Sequence, residues 1–113
     1  MTNELHAETT TASTCYCVLL SSVGKIWNGT TFVTIDSGDW TDYDIAMTEA
    51  TAGIYLADMP TTIPGAYSYV VYIQAGASPA ITDTYAGTGW INWSGSAEIS
   101  ATSPTKPLTG AGL

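Results

Sequence analysis

Four aspartates, Asp36, Asp39, Asp42 and Asp44, fall within the nine residues DSGDWTDYD and form the densest cluster of chemistry-bearing groups in the chain. Oxygen-rich loops of this kind attract calcium, a hard cation that takes ~6–8 oxygen ligands. The run lacks the spacing of a calcium-binding hand and its closing glutamate, and Asp44 belongs to a strand face rather than to the loop. A solvated loop in which Asp and Gly set turn geometry is the favoured reading, with calcium kept as the weaker candidate. A nucleophilic triad needs a histidine held by a rigid scaffold. The sole histidine, His6, lies in a polar N-terminal stretch and reads as a solvated tail residue. Gly87 and Gly89, followed by Trp90, do not continue a dinucleotide-binding pattern and read as strand or bend glycines. Cys15 and Cys17 share one face of a strand, and joining them would close a small, strained ring. With His6 they fall short of a four-ligand zinc site. They read as free, packed thiols, with a bond to another chain or a metal as lesser alternatives. Ten acids make some carboxylate pair inevitable, so a glycosidase reading has no support. These residues point to no enzyme and no cofactor.

The aromatic load carries more. Trp27, Trp40, Trp90 and Trp93 accompany seven tyrosines. Flat rings stack on sugars, so a carbohydrate platform is one reading; core anchors and subunit contacts are the other. Trp90 and Trp93 fall on opposite faces of one strand, so at most one joins a given platform, which favours core and interface. Two sequons, Asn28-Gly29-Thr30 and Asn92-Trp93-Ser94, matter only on a secretory route, and Asn28 already has a turn role. Lys25 and Lys106 are the only cations against ten acids, for a net charge of −8. Without arginine, phosphate neutralisation and guanine readout lose their main tool, which argues against nucleic acid and against anionic membranes as partners. Charged residues make up 11% of the chain, where ordinary domains carry roughly 25%. The replacement by Thr, Ser, Gly and Ala leaves a neutral surface that neighbours can cover at little desolvation cost.

The elements that must position these groups are strands. CYCVLLSS at 15–22 is an apolar run of strand length. Asn28-Gly29 predicts a two-residue hairpin turn that pairs Trp27 with Thr30 and Lys25 with Phe32, placing Trp27 and Phe32 on one face and Ile26, Val33 and Ile35 on the other. Tyr43, Ile45 and Met47 alternate with polar neighbours as a half-buried strand. IYLADM ends at Pro60, and AYSYVVYIQ, with Tyr67, Tyr69, Val71 and Ile73 on one face, is the longest strand. ITDTYAGTGWINW supplies one or two more. About seven short strands between turns predict an all-β fold, a single antiparallel β-sandwich of immunoglobulin-like or jelly-roll-like type. Residues 1–13 are expected to form an extended N-terminal arm, 14–96 the sandwich, and 97–113 a C-terminal arm broken by Pro104 and Pro107. Both arms are expected to be mobile in the isolated chain. The first residues lack a basic start and an apolar core, so a secretory leader is not expected. No apolar run approaches the ~18 residues of a membrane span.

The order GKIWNGTTF, YDIAMTE, GIYLADMP…IPGAYSYVVYIQAGASPAITDT and INWSG, over roughly residues 16–97, resembles a family of small uncharacterised domains found in the structural modules of tailed bacteriophages and in environmental bacterial genomes. The resemblance implies a β-sandwich virion component made in the bacterial cytoplasm, and it brings no catalytic residues. Its most concrete form is a decoration or cement protein on the outer capsid surface, clamping neighbouring major capsid proteins and contacting copies of itself. A head–tail neck, tail or fibre-base component is the alternative, with a carbohydrate-binding or adhesive module as the other. Tyr16, Trp40, Trp90, Pro104 and Pro107 are the candidate interface residues. The acidic balance favours the outside of a particle, because an interior face meets packaged DNA and would be repelled.

Overall fold

In the computed structural model, which describes residues 4–61 and 63–99, the chain is all-β, with nine strands and one short 3₁₀ segment among those residues. The strands are β1 (Leu5–Glu8), β2 (Cys15–Leu20), β3 (Ile26–Trp27), β4 (Phe32–Val33), β5 (Ile45–Ala46), β6 (Thr48–Thr51), β7 (Ile54–Ala57), β8 (Gly65–Ile73) and β9 (Thr84–Trp93); Ser37–Asp42 is the 3₁₀ segment. They form two antiparallel sheets arranged as a sandwich. The small sheet runs β1-β7-β6 and the large one β4-β3-β2-β8-β9, with β5 added beside β2.

The apolar run at 15–20 becomes the central strand because both of its faces are covered. Cys15, Cys17 and Leu19 point into the inter-sheet core with Tyr67, Tyr69, Val71, Ile91 and Trp93, opposite Leu5, Tyr55 and Ala57 of the small sheet. Tyr16 and Val18 point outward into a second core, where Ile26, Trp40 and Tyr43 enclose them. The full register of β2 against β8, from Cys15↔Ile73 to Leu20↔Ser68, fixes the sheet's centre. On β8, Tyr67, Tyr69, Val71 and Ile73 share one face as expected, and the structure turns that face inward, burying the first three and partly covering Ile73.

Three local expectations change. The hairpin at Asn28 pairs Trp27 with Phe32 and Ile26 with Val33, two residues away from the expected register. The Asn28 carboxamide oxygen accepts from the amides of both Thr30 and Thr31, closing a four-residue loop in place of a two-residue turn. An even slip preserves the faces, so Trp27 and Phe32 still meet, their ring centroids 5.1 Å apart. The strand expected over Tyr43–Met47 is divided. Tyr43 ends the 3₁₀ segment, Ile45–Ala46 pair with β2, and the chain crosses at Met47, whose amide donates to the Cys15 carbonyl, to enter the other sheet as β6.

The third change concerns the N-terminal arm. Residues 5–8 are an edge strand of the small sheet, in register with β7 from Leu5↔Ala57 to Glu8↔Ile54. Leu5 is fully buried and works as a core residue. The Tyr69 hydroxyl accepts from the His6 amide and donates to the His6 carbonyl, tying β1 to the large sheet. Tyr55 does the same further on, donating to Thr10 O and accepting from Ser13 N. Gly89 makes room for this contact: a Cβ there would sit 2.5 Å from the Tyr69 ring and hydroxyl. Gly53, at φ +85°, lies against the Thr9 carbonyl where a Cβ would overlap it. At the other end Ile99 N donates to Asn92 O and Glu98 pairs with Trp93, so residues 97–99 fold back on β9. Pro104 and Pro107 lie outside the described residues.

Two measurements follow from this packing. Leu5→Ala should lower the unfolding free energy by about 2–5 kcal/mol in denaturant titrations, the range for emptying a filled core position. Gly89→Ala should cost about 1–3 kcal/mol through overpacking. It should also speed hydrogen exchange along β1, whose amides should exchange slowly in the wild-type chain.

Candidate functional site

The acidic loop forms a cover over the outer face of the large sheet. Asp36 caps the 3₁₀ segment, its carboxylate accepting from Gly38 N at 2.9 Å. Asp36, Asp39 and Asp42 are exposed and Asp44 is half-buried. Among the described residues no three His, Cys, Asp or Glu side chains come together where they could hold a metal ion. The four aspartates therefore do not assemble the calcium site that their spacing raised. Their loop serves instead to lay Trp40 and Tyr43 on Tyr16 and Tyr72. Trp40 stands edge-on to both Tyr43 and Tyr72, and Tyr16 stacks on Tyr72 at 5.6 Å.

A buried polar chain runs beneath this aromatic layer. Trp40 Nε1 donates to the Tyr16 hydroxyl at 3.0 Å, and Tyr16 donates to Asp83 Oδ2 at 2.7 Å. Asp83 also accepts from the amides of Ala80 and Ala75. Three donors on one carboxylate favour its charged form, and the Tyr16 bond is the chief reason its pKa lies below the ordinary 3.8. Burial first, and then the bond to Asp83, raise the Tyr16 phenol well above its usual range. A carboxylate held ionised and a phenol held neutral have no proton to trade near pH 7, so the chain is a structural clasp. Tyr16 is 1% exposed and Trp40 8%. Both leave the set of candidate interface residues, because their polar atoms and rings are already satisfied inside the chain. With Trp40 inside, its ring is not presented to a sugar. Asp83 was not singled out by sequence, since nothing local separates it from the other acids.

The remaining reactive groups are similarly engaged. Both thiols are buried, and burial pushes Cys17 up to about 12 and raises Cys15, with Glu49 adding to the latter. Glu49 binds the amides of Ala12 and Gly53. His6 Nε2 contacts Glu8 at 3.2 Å on the exposed side of β1.

Among the described residues, the outer edge of β9 is left open apart from its Asn92–Trp93 end, where residues 97–99 pair. Strand β9, TYAGTGWINW, ends the large sheet and carries no charged side chain. Ile91 and Trp93 face the core, and Trp90 lies half-buried on the opposite face. Ile81 and Tyr85 are 54% and 60% exposed beside it. Between β1 and β9 opens a cleft of about 290 Å³, lined by His6, Ala7, Glu8, Val71, Ala86, Gly87 and Thr88. Alternation in the sequence signals the faces of β9 but not its place at the edge. Among the described residues no helix is long and apolar enough to cross a membrane. Searches against family models, curated proteins and solved structures matched nothing to this chain.

The clasp sets a pH dependence. Because the folded-state pKa of Asp83 is lowered, its stabilisation is present above pH 4 and lost as pH falls below it. The tyrosines raised by burial, Tyr16, Tyr67, Tyr69 and Tyr72, act at the other end, and their contribution is lost as pH rises past 10. Thermal melts should therefore show a plateau bounded near these values. Asp83→Asn should melt lower at pH 7, with the gap to wild type closing below pH 4. In the same samples neither cysteine should react with an aromatic disulfide reagent until denaturant is added.

Proposed function

We propose that this chain is a non-enzymatic structural protein of a bacteriophage particle, a decoration protein that sits on the outer capsid surface and clamps neighbouring major capsid proteins. The observation that carries the reading is β9: ten residues without a charged side chain, at the edge of the larger sheet, with Tyr85 exposed on it and Ile81 exposed just before it. Monomeric proteins commonly guard such an edge with lysine, proline or a covering element. Among the described residues only 97–99 cover this edge, at its Asn92–Trp93 end, and the open remainder suits a protein whose neighbours complete it. The commitment of Asp83, Tyr16, Glu49 and both thiols to internal roles supports a structural rather than a chemical task. The net charge of −8 suits the outside of a particle filled with DNA. The phage context itself rests on the sequence resemblance over residues 16–97.

Quantitative mass spectrometry of purified particles tests this. The chain should be present in a copy number comparable with that of the major capsid protein, and particles lacking it should lose genome at lower temperature. A few copies per particle would move it to the neck or tail. Absence from particles, with retardation on glycan affinity gels that Trp90→Ala abolishes, would replace the reading with carbohydrate binding.

A further inference from the structure

The partner that completes β9 can be specified from the chemistry around it. Asn92 uses its outward carbonyl to receive the Ile99 amide, which fixes the side of β9 facing away from β8. Backbone groups in an antiparallel strand alternate sides, so the amide and carbonyl of Thr88 point the same way. Thr88 is exposed, and among the described residues no strand lies beyond it. Below this stretch the cleft against β1 is walled by Ala7, Ala86 and Gly87. A Cβ built on Gly87 meets nothing within 4 Å, so the cleft has room for a side chain from an added strand.

Among the described residues, carboxylates outnumber basic groups around the edge, where the one basic side chain is His6, in contact with Glu8. Glu8, 69% exposed, sits at the cleft beside Ala86–Thr88, and exposed Glu98 pairs opposite Trp93. Lys25, the one cation among the described residues, lies just before β3, with β2 and β8 between it and β9. A second copy of this chain would bring another acid-rimmed edge and another −8. We propose that the outer edge of β9 over Tyr85–Gly89 accepts, as an added strand, an extended segment of a different protein that carries basic residues at its flanks. Main-chain bonds to the edge supply affinity, one side chain enters the cleft, and the acids at either end select the charge. This deepens the decoration reading and rests on it for the partner's identity as a capsid protein.

The test uses the full chain and two blocked peptides of alternating threonine and valine, one ending in lysine at both termini and the other in glutamate. At low ionic strength the lysine peptide should shift the amide resonances of Tyr85–Gly89 and slow hydrogen exchange at Thr88. The glutamate peptide should bind about tenfold more weakly or worse. Thr88→Lys should reverse that order with the circular dichroism spectrum unchanged, whereas Ile35→Ala, at the far end of the sheet, should leave it intact. Equal binding of both peptides, shifts confined to other strands, or Thr88 already protected in the free chain would overturn the proposal. So would protection of β9 that grows with protein concentration alone, which would make a second copy the occupant. Peptide docking by a chain absent from particles would keep this site and remove the capsid reading. Abundant incorporation without docking would do the reverse.

Discussion

Everything in this fold depends on β2 being covered on both faces and paired along both edges. Strand β8 runs along one side for the whole of Cys15–Leu20, while the other side is shared between β3 at Leu20 and β5 at Tyr16 and Cys17. A six-residue strand with no solvent face must be apolar throughout, and CYCVLL is. The one strong polar atom on it, the Tyr16 hydroxyl, must find partners within the chain, since an unpaired buried polar group costs about 1–3 kcal/mol. It finds Asp83 as acceptor and Trp40 as donor. The loop carrying Trp40 and the loop carrying Asp83 are thereby placed by one atom of the central strand.

The same device recurs where the backbone has no ladder to join. Tyrosine hydroxyls donate and accept at once, and here they close main-chain gaps across long stretches of sequence. Tyr69 holds His6, Tyr55 holds Thr10 and Ser13, and Tyr43 holds both backbone polar groups of Asp36. Tyr67 caps the turn at Ile63 and Pro64. Each ring fills core volume while its tip satisfies a backbone group at the core's margin, which is the amphipathic use to which tyrosine is suited. Five of the seven tyrosines, Tyr16, Tyr43, Tyr55, Tyr67 and Tyr69, work this way in a chain with few ions. The exposed His6–Glu8 contact lies outside the core. Polar work that other domains assign to salt bridges is here assigned to phenols.

Among the described residues, the surface left over is neutral, acidic at a few points, and open along the part of β9 that residues 97–99 do not cover. Low charge density lowers the desolvation cost of burying that surface against neighbours. The acids at the ends of the open edge would repel a like-charged copy and so discriminate among partners as well as attract one. This division between a self-satisfied interior and an edge left partly open among the described residues is what supports the proposed assembly role.

Alternation and turn chemistry in the sequence determined the all-β class, the strand at 15–20, the shared face of Tyr67, Tyr69 and Val71, and the shared face of Trp27 and Phe32. These are local properties, set by the period of two along a strand. Tertiary structure alone decided which strand lies at the edge, that residues 5–8 complete the small sheet, and that the chain changes sheets at Met47. It also decided that Tyr16 and Trp40 are clasped inside, with Asp83 as their partner. The Asn28 loop lies between the two cases: its residues announced a turn, but a side-chain bond to Thr30 and Thr31 chose its length. The physical reason is one of range. A side chain's face is written in its neighbours one and two residues away, whereas Tyr16 and Asp83 stand 67 residues apart and meet only because β2 and β8 pair.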